Sequence, residues 1–170
     1  MNKKLKRTLI IAMVCCLISM LGTFAMQANW GKTKVTQYTV SLSELGRMID
    51  ANNAAYGKNI QTSFVRNDSI ISFAVYEPKS ADGRSVPGIV CTHGGYNQKE
   101  MQMQNYIELA RRGFVVVTYD WAGHGRTDMA VDSATGGSNG MIAMVEYIMS
   151  LKQVDETGVG TPGHSCSNWG

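Results

Sequence analysis

Sulfur and imidazole are scarce in this chain. Its 170 residues hold four cysteines and three histidines. No C-x-x-C or mixed Cys/His spacing joins them, which excludes a structural zinc module. Cys15 and Cys16 fall in an apolar N-terminal run, Cys91 in a predicted core strand and Cys166 close to the C-terminal end. They form no disulfide framework; two buried thiols at Cys91 and Cys166 are the default, with a bridge between them the alternative. Charge is sparse as well, at 17% of residues with a net +3. Lys3, Lys4, Lys6 and Arg7 sit together, and without them the remainder is close to neutral. That balance excludes a nucleic-acid surface and points to a membrane-targeting end. The length leaves room for one domain plus appendages.

Only one long hydrophobic run is present. Residues 9–26 carry no charge, and the apolar stretch Leu9 to Leu21 is long for a signal-peptide core of about 7–15 residues and near the ~17–25 that span a bilayer. It reads as an uncleaved, single-pass anchor. By the positive-inside rule, the basic N-terminus stays in the cytoplasm and the domain lies outside. The alternative is secretion after signal cleavage beyond Ala25 or Ala28, although neither site is a clean A-x-A. Residues 1–28 are thus an anchor or signal segment.

Residues 29–57 read as a linker with a short amphipathic helix. Val35 to Val40 alternates as a strand does. Leu42, Leu45, Met48 and Ile49 then recur at helical spacing behind the possible caps Ser41 and Ser43. From residue 58 a domain begins. Ile60 to Phe64 and Ser69 to Tyr76 are expected as two antiparallel strands around the turn Arg66-Asn67-Asp68-Ser69. Pro78 closes the second of them.

The pattern changes at Val86. Pro87 to Thr92 is a short apolar run, as buried parallel strands are, and it leads at once into His93-Gly94-Gly95-Tyr96. A helical pattern over Glu100 to Arg112, with Gly113 as C-cap, precedes a second apolar run, Phe114 to Tyr119. Strand, helix and strand form a right-handed βαβ unit. The second strand ends in Asp120-Trp121-Ala122-Gly123-His124-Gly125-Arg126-Thr127-Asp128. A glycine-rich stretch leads into a helix over Met141 to Lys152. A short strand, Gly158 to Thr161, then delivers the chain to Gly163-His164-Ser165-Cys166-Ser167.

Three motifs in this order, from about Ile70 to Ser165, closely resemble the N-terminal half of the α/β-hydrolases. Gly-His-Ser-Cys-Ser is similar to that family's nucleophile elbow, G-x-S-x-G, with Ser167 in place of the second glycine. The resemblance implies an α/β fold: the N-terminal part of an α/β-hydrolase sheet, mostly parallel with antiparallel leading strands; the N-terminal hydrophobic helix read from residues 9–26 precedes it. It implies Ser165 as the catalytic nucleophile, because a serine on a sharp strand-to-helix turn presents its hydroxyl away from the backbone. It places the oxyanion hole on the backbone N–H groups of Gly95 or Tyr96 and of Cys166. His93, Gly94, Asp120, Gly123, His124 and Gly125 become supporting loop residues. The substrate would be a small-molecule ester, an amide or a peptide, with no cofactor, no metal and no nucleic acid; the N-terminal helix would engage a membrane.

A serine needs a base to take its proton and a carboxylate to orient that base. In the family both follow the elbow in chain order, yet Cys166 to Gly170 include no Asp, Glu or His. Residues 58–170 therefore read as a hydrolase domain cut short, expected to be inactive and aggregation-prone by itself. Three functions compete: a membrane-anchored serine esterase or peptidase, a catalytically inactive remnant, and a membrane-anchored binding or structural module. Pro162, just before the elbow, is unusual if it lies in a central strand.

Overall fold

The structure is a computed structural model that describes Arg7 and residues 10–20, 33–79, 83–129 and 138–164. Residues 1–32 and 33–170 form separate compact units. In the first unit, residues 10–20 are helical, with Ile10, Ile11, Met13, Leu17, Ile18 and Met20 all exposed. Among the described residues, no helix is long and apolar enough to cross a membrane.

The second unit is a five-stranded mixed sheet with helices on both faces. Strand β1 (Thr33–Ser41) leads into helix α1 (Leu42–Tyr56), followed by strands β2 (Ile70–Pro78) and β3 (Val86–Thr92). Helix α2 (Met103–Arg111), strand β4 (Val115–Tyr119), helix α3 (Ser138–Ser150) and strand β5 (Val154–Gly160) complete it. The spatial order is β1-β2-β4-β3-β5. Strand β2 runs antiparallel to both neighbours, while β3 is parallel to β4 and to β5.

The alternation of strand side chains divides the core between the two faces. Ile71, Phe73, Val75, Val90, Val115 and Val117 meet Leu42, Leu45 and Ile49 of α1 and Met144 and Ile148 of α3. On the other face Ala74, Tyr76, Cys91 and Val116 meet Tyr106, Ile107 and Ala110 of α2. Tyr38 of β1 stacks on Phe73 with ring centroids 4.8 Å apart, and Phe73 meets Tyr147 edge-on at 5.0 Å. Strand β1 is thereby bound into the same core as α3.

Residues 60–64 are not a strand, contrary to the hairpin expected between them and Ser69–Tyr76. The partner of β2 is β1, paired from Thr33↔Pro78 to Ser41↔Ile70. The polar turn serves a helix end instead. Ser69 O accepts the Leu42 N–H at 3.0 Å, Asn67 O accepts the Ser43 N–H at 2.9 Å, and the Ser41 hydroxyl accepts the Glu44 N–H at 3.1 Å. Three otherwise unpaired N–H groups at the start of α1 are satisfied in this way. Phe64 is buried in the core without belonging to any strand.

Strand β5 begins earlier than the sequence suggests, because a bulge interrupts it. Its register jumps from Pro87↔Asp155 to Gly88↔Val159. Pro87 has no N–H to give to the ladder, and β5 bows outward at that point. The Asp155 carboxylate closes the bulge by accepting from the Thr157 N–H at 3.0 Å and hydroxyl at 2.7 Å. Pro162 lies beyond the end of β5, so it interrupts no ladder.

Candidate functional site

The C-terminal ends of β3, β4 and β5 lie side by side and project three loops: residues 93–98, 120–128 and 161–164. In open α/β sheets, that end is where ligands bind. A parallel bridge between Thr92 and Gly163 brings the segment leading to Ser165 alongside the start of the His93-Gly94-Gly95-Tyr96 loop. Ser165 and Cys166 themselves lie outside the described residues.

His93 is fully buried between the first two loops. The Trp121 N–H donates to its Nε2 at 3.2 Å. That nitrogen must therefore be the acceptor, the ring proton sits on Nδ1, and Nδ1–H donates to the Gly94 carbonyl at 2.7 Å. Burial lowers the pKa of His93 below the usual histidine value, partly offset by the hydrogen bond to Gly94. Both ring nitrogens of this neutral imidazole are engaged, so it ties two loops together and is not free to take a proton from a serine. Trp121 and His124 lie against it, with centroids 5.4 and 5.3 Å away.

Beyond Gly94 the chain turns outward. Tyr96 has φ 58°, a left-handed conformation uncommon for a side-chain-bearing residue, and its ring is fully exposed. No acceptor among the described residues takes the N–H groups of Gly95 or Tyr96. Both residues follow closely on Thr92, which forms the bridge to Gly163.

A second tie lies beneath the first. Asp120 is 1% exposed, and its carboxylate accepts from the Lys99 N–H at 2.7 Å, the Lys99 ammonium at 3.2 Å and the Arg126 N–H at 3.2 Å. The Lys99 side chain is almost as buried and also reaches Glu100 at 3.0 Å. The Lys99 carbonyl takes the Thr118 hydroxyl at 3.0 Å. The loop carrying Gly123 (φ 72°), His124 and Gly125 is sewn to β2 as well. The Thr127 hydroxyl accepts the Ser72 N–H at 3.0 Å, and Asp128 exchanges hydrogen bonds with the backbone of Ile70. Lys99 had no signature in the sequence. The available signal was indirect: an aspartate at the end of an apolar strand needs a counter-charge, and several cations lay within reach. Cys91 is a free thiol under this site, and burial pushes its pKa up to about 12. It is packing, not a nucleophile.

No family model matches the chain, and no curated protein matches it. Solved structures do. The chain is similar to DcsB, solved in complex with its substrate analogue, with TM-score 0.53 and 18% identity, covering 79% of this chain and 38% of that one. It is similar to esterase Est22 (TM-score 0.52, 12% identity, 78% of this chain and 35% of that one). A putative dipeptidyl aminopeptidase IV from Bacteroides ovatus matches with TM-score 0.52 and 17% identity, over 77% of this chain and 17% of that one. At these identities the likeness is one of fold, and the chain spans well under half the length of each of these proteins.

Proposed function

We propose that this chain, which carries the N-terminal part of the α/β-hydrolase fold, belongs to a serine hydrolase acting on an ester, an amide or a peptide. The observation that carries this reading is the Thr92↔Gly163 bridge. That bridge supports the reading by bringing the approach to Ser165 alongside the start of the loop whose Gly95 or Tyr96 N–H is the proposed oxyanion donor. In the proposed reaction, the Ser165 oxygen bonds to the substrate carbonyl carbon while its proton passes to a base. The carbonyl oxygen, now negative, is held by the N–H of Gly95 or Tyr96 and that of Cys166. Collapse expels the alcohol or amine with that proton, and water then releases the acid. Each oxyanion donor is worth roughly a hundred- to a thousandfold in rate. His93 is not the base, since its imidazole holds the loops together through both nitrogens.

The test is a fluorophosphonate probe applied to cells producing the protein from its own gene. After trypsin, the peptide beginning at Gln153 carries Ser165. The reading expects the phosphonyl group on Ser165 and none in a Ser165→Ala strain. Modification elsewhere, or none under conditions that label other serine hydrolases in the same cells, overturns it.

A further inference from the structure

At the other end of the sheet, away from these loops, lies a cavity of about 480 Å³ lined by Lys34, Glu77, Lys79, Arg84, Lys152 and Gln153, among others. Its position follows from the topology. Strand β2 runs antiparallel to its neighbours, so its last residues and Lys79 meet the first residues of β1, with Lys34 opposite Glu77. Arg84 and Ser85 enter β3 there, and Lys152 and Gln153 enter β5. Three connections that are distant in sequence thus deliver cations to one place.

The charges do not balance. Among the described residues of the lining, Glu77 is the only carboxylate, and it is already engaged by Lys34 at 3.0 Å and by the side-chain amide of Gln153 at 2.5 Å. Among the described residues, Lys79, Arg84 and Lys152 form no ion pair and no side-chain hydrogen bond. Three unpaired cations sharing one concavity repel one another, and an anion relieves that repulsion while accepting charge-assisted hydrogen bonds. Arg84 offers a planar fork that fits phosphate oxygens in pairs, the two lysines add point charges, and Ser85 adds a hydroxyl. The volume suits a small ligand rather than a single ion.

We infer that this cavity binds a phosphate-bearing anion, independently of any chemistry at the opposite end of the sheet. The phosphate could be carried by a soluble ligand or by a lipid headgroup, and one set of proteins separates the two. Binding of inorganic pyrophosphate to the full chain is followed by calorimetry and by the amide resonances of Gly83 and Arg84. Retention on phosphatidylglycerol vesicles is compared with retention on phosphatidylcholine vesicles. The expected result is saturable pyrophosphate binding that falls at least roughly tenfold in the R84Q/K152Q double variant, the loss of charge-assisted hydrogen bonds. It should be unchanged in R112Q, whose side chain pairs with Glu108 on α2. If the double variant also loses its preference for phosphatidylglycerol vesicles, the natural phosphate is a headgroup. If that preference is untouched, it is a soluble ligand. Absence of saturable pyrophosphate binding at millimolar concentration overturns the inference, and so does equal weakening by R112Q.

Discussion

At Gly125 the main chain passes directly under a buried carboxylate. Its φ is 53°, and a Cβ built there would stand 2.2 Å from the Asp120 Oδ2. Gly123, two residues earlier, has φ 72° but nothing within 4 Å of its would-be Cβ. The pair separates backbone strain from steric displacement. Gly123→Ala should cost only the left-handed penalty, about 1–2 kcal/mol. Gly125→Ala must also move Asp120, which takes the buried carboxylate from the Lys99 ammonium and leaves it only the partly exposed Glu100, a further loss of up to about 3–5 kcal/mol. Urea denaturation of the two variants checks this, and equal losses would show that the Asp120–Lys99 pair does not depend on that glycine. His93 makes a prediction in the pH dimension. Burial sets its folded-state pKa below the usual value, so below about pH 6.5 the unfolded chain binds more protons than the folded one. The His93 contribution to stability is intact above about 6.5 and is lost as pH falls from there through the lowered folded-state pKa, with a slope of at most about 1.4 kcal/mol per unit. Substituting His93→Gln, which keeps an acceptor for the Trp121 N–H, should remove that slope from stability measured between about pH 5 and 8.

Among the elements, α3 shows how a helix end is completed from far away. Its last turn contains no basic residue, yet Lys58 reaches across to donate to Met149 O at 2.6 Å and to Val154 O at 2.8 Å. A cation at that end also suits the helix dipole. Burial lowers the Lys58 pKa, and the nearby Glu156 and Asp155 oppose that shift. Lys58→Met should keep the stem's packing but lose two charge-assisted hydrogen bonds, for a cost of about 1.5–3 kcal/mol. Hydrogen exchange should then quicken first in the last turn of α3 and the start of β5; uniform loss of protection would argue against a local cap. The strands and helices were largely legible in the sequence because their periods are local: the apolar runs 89–92 and 115–119, and the helical spacing of Leu42, Leu45 and Ile49. Pairing was not local. Arg66 to Ser69 does carry turn chemistry, with Asn67 Oδ1 accepting the Ser69 N–H at 2.9 Å, but that chemistry caps α1 and closes no hairpin. Nothing within residues 60–76 could reveal that β2 would pair with β1, from Ser41↔Ile70 out to Thr33↔Pro78. The same limit hid Lys58 and Lys99, whose partners lie on other elements.

For the whole molecule, the consequence of that long-range pairing is that β1 and α1 belong to the core. Strand β1 covers the full length of β2. Leu42, Leu45 and Ile49 of α1 have no exposed surface at all. Burying each of these side chains is worth about 1.5–3 kcal/mol, so together they rival the whole ~5–15 kcal/mol by which a domain is stable. Removing residues 33–57 would also uncover Phe73 and Tyr147 on one face of the sheet and free the edge of β2 for pairing with other chains. A protein beginning at Lys58 should therefore lack a cooperative unfolding transition, bind hydrophobic dyes and aggregate. The check is a urea titration read by tryptophan fluorescence and by circular dichroism together, on that shortened protein and on one beginning at Thr33. A sigmoid transition in the shortened protein, with a slope close to that of the longer one, would mean that the same apolar area is buried without β1 and α1. It would overturn the assignment of these two elements to the core.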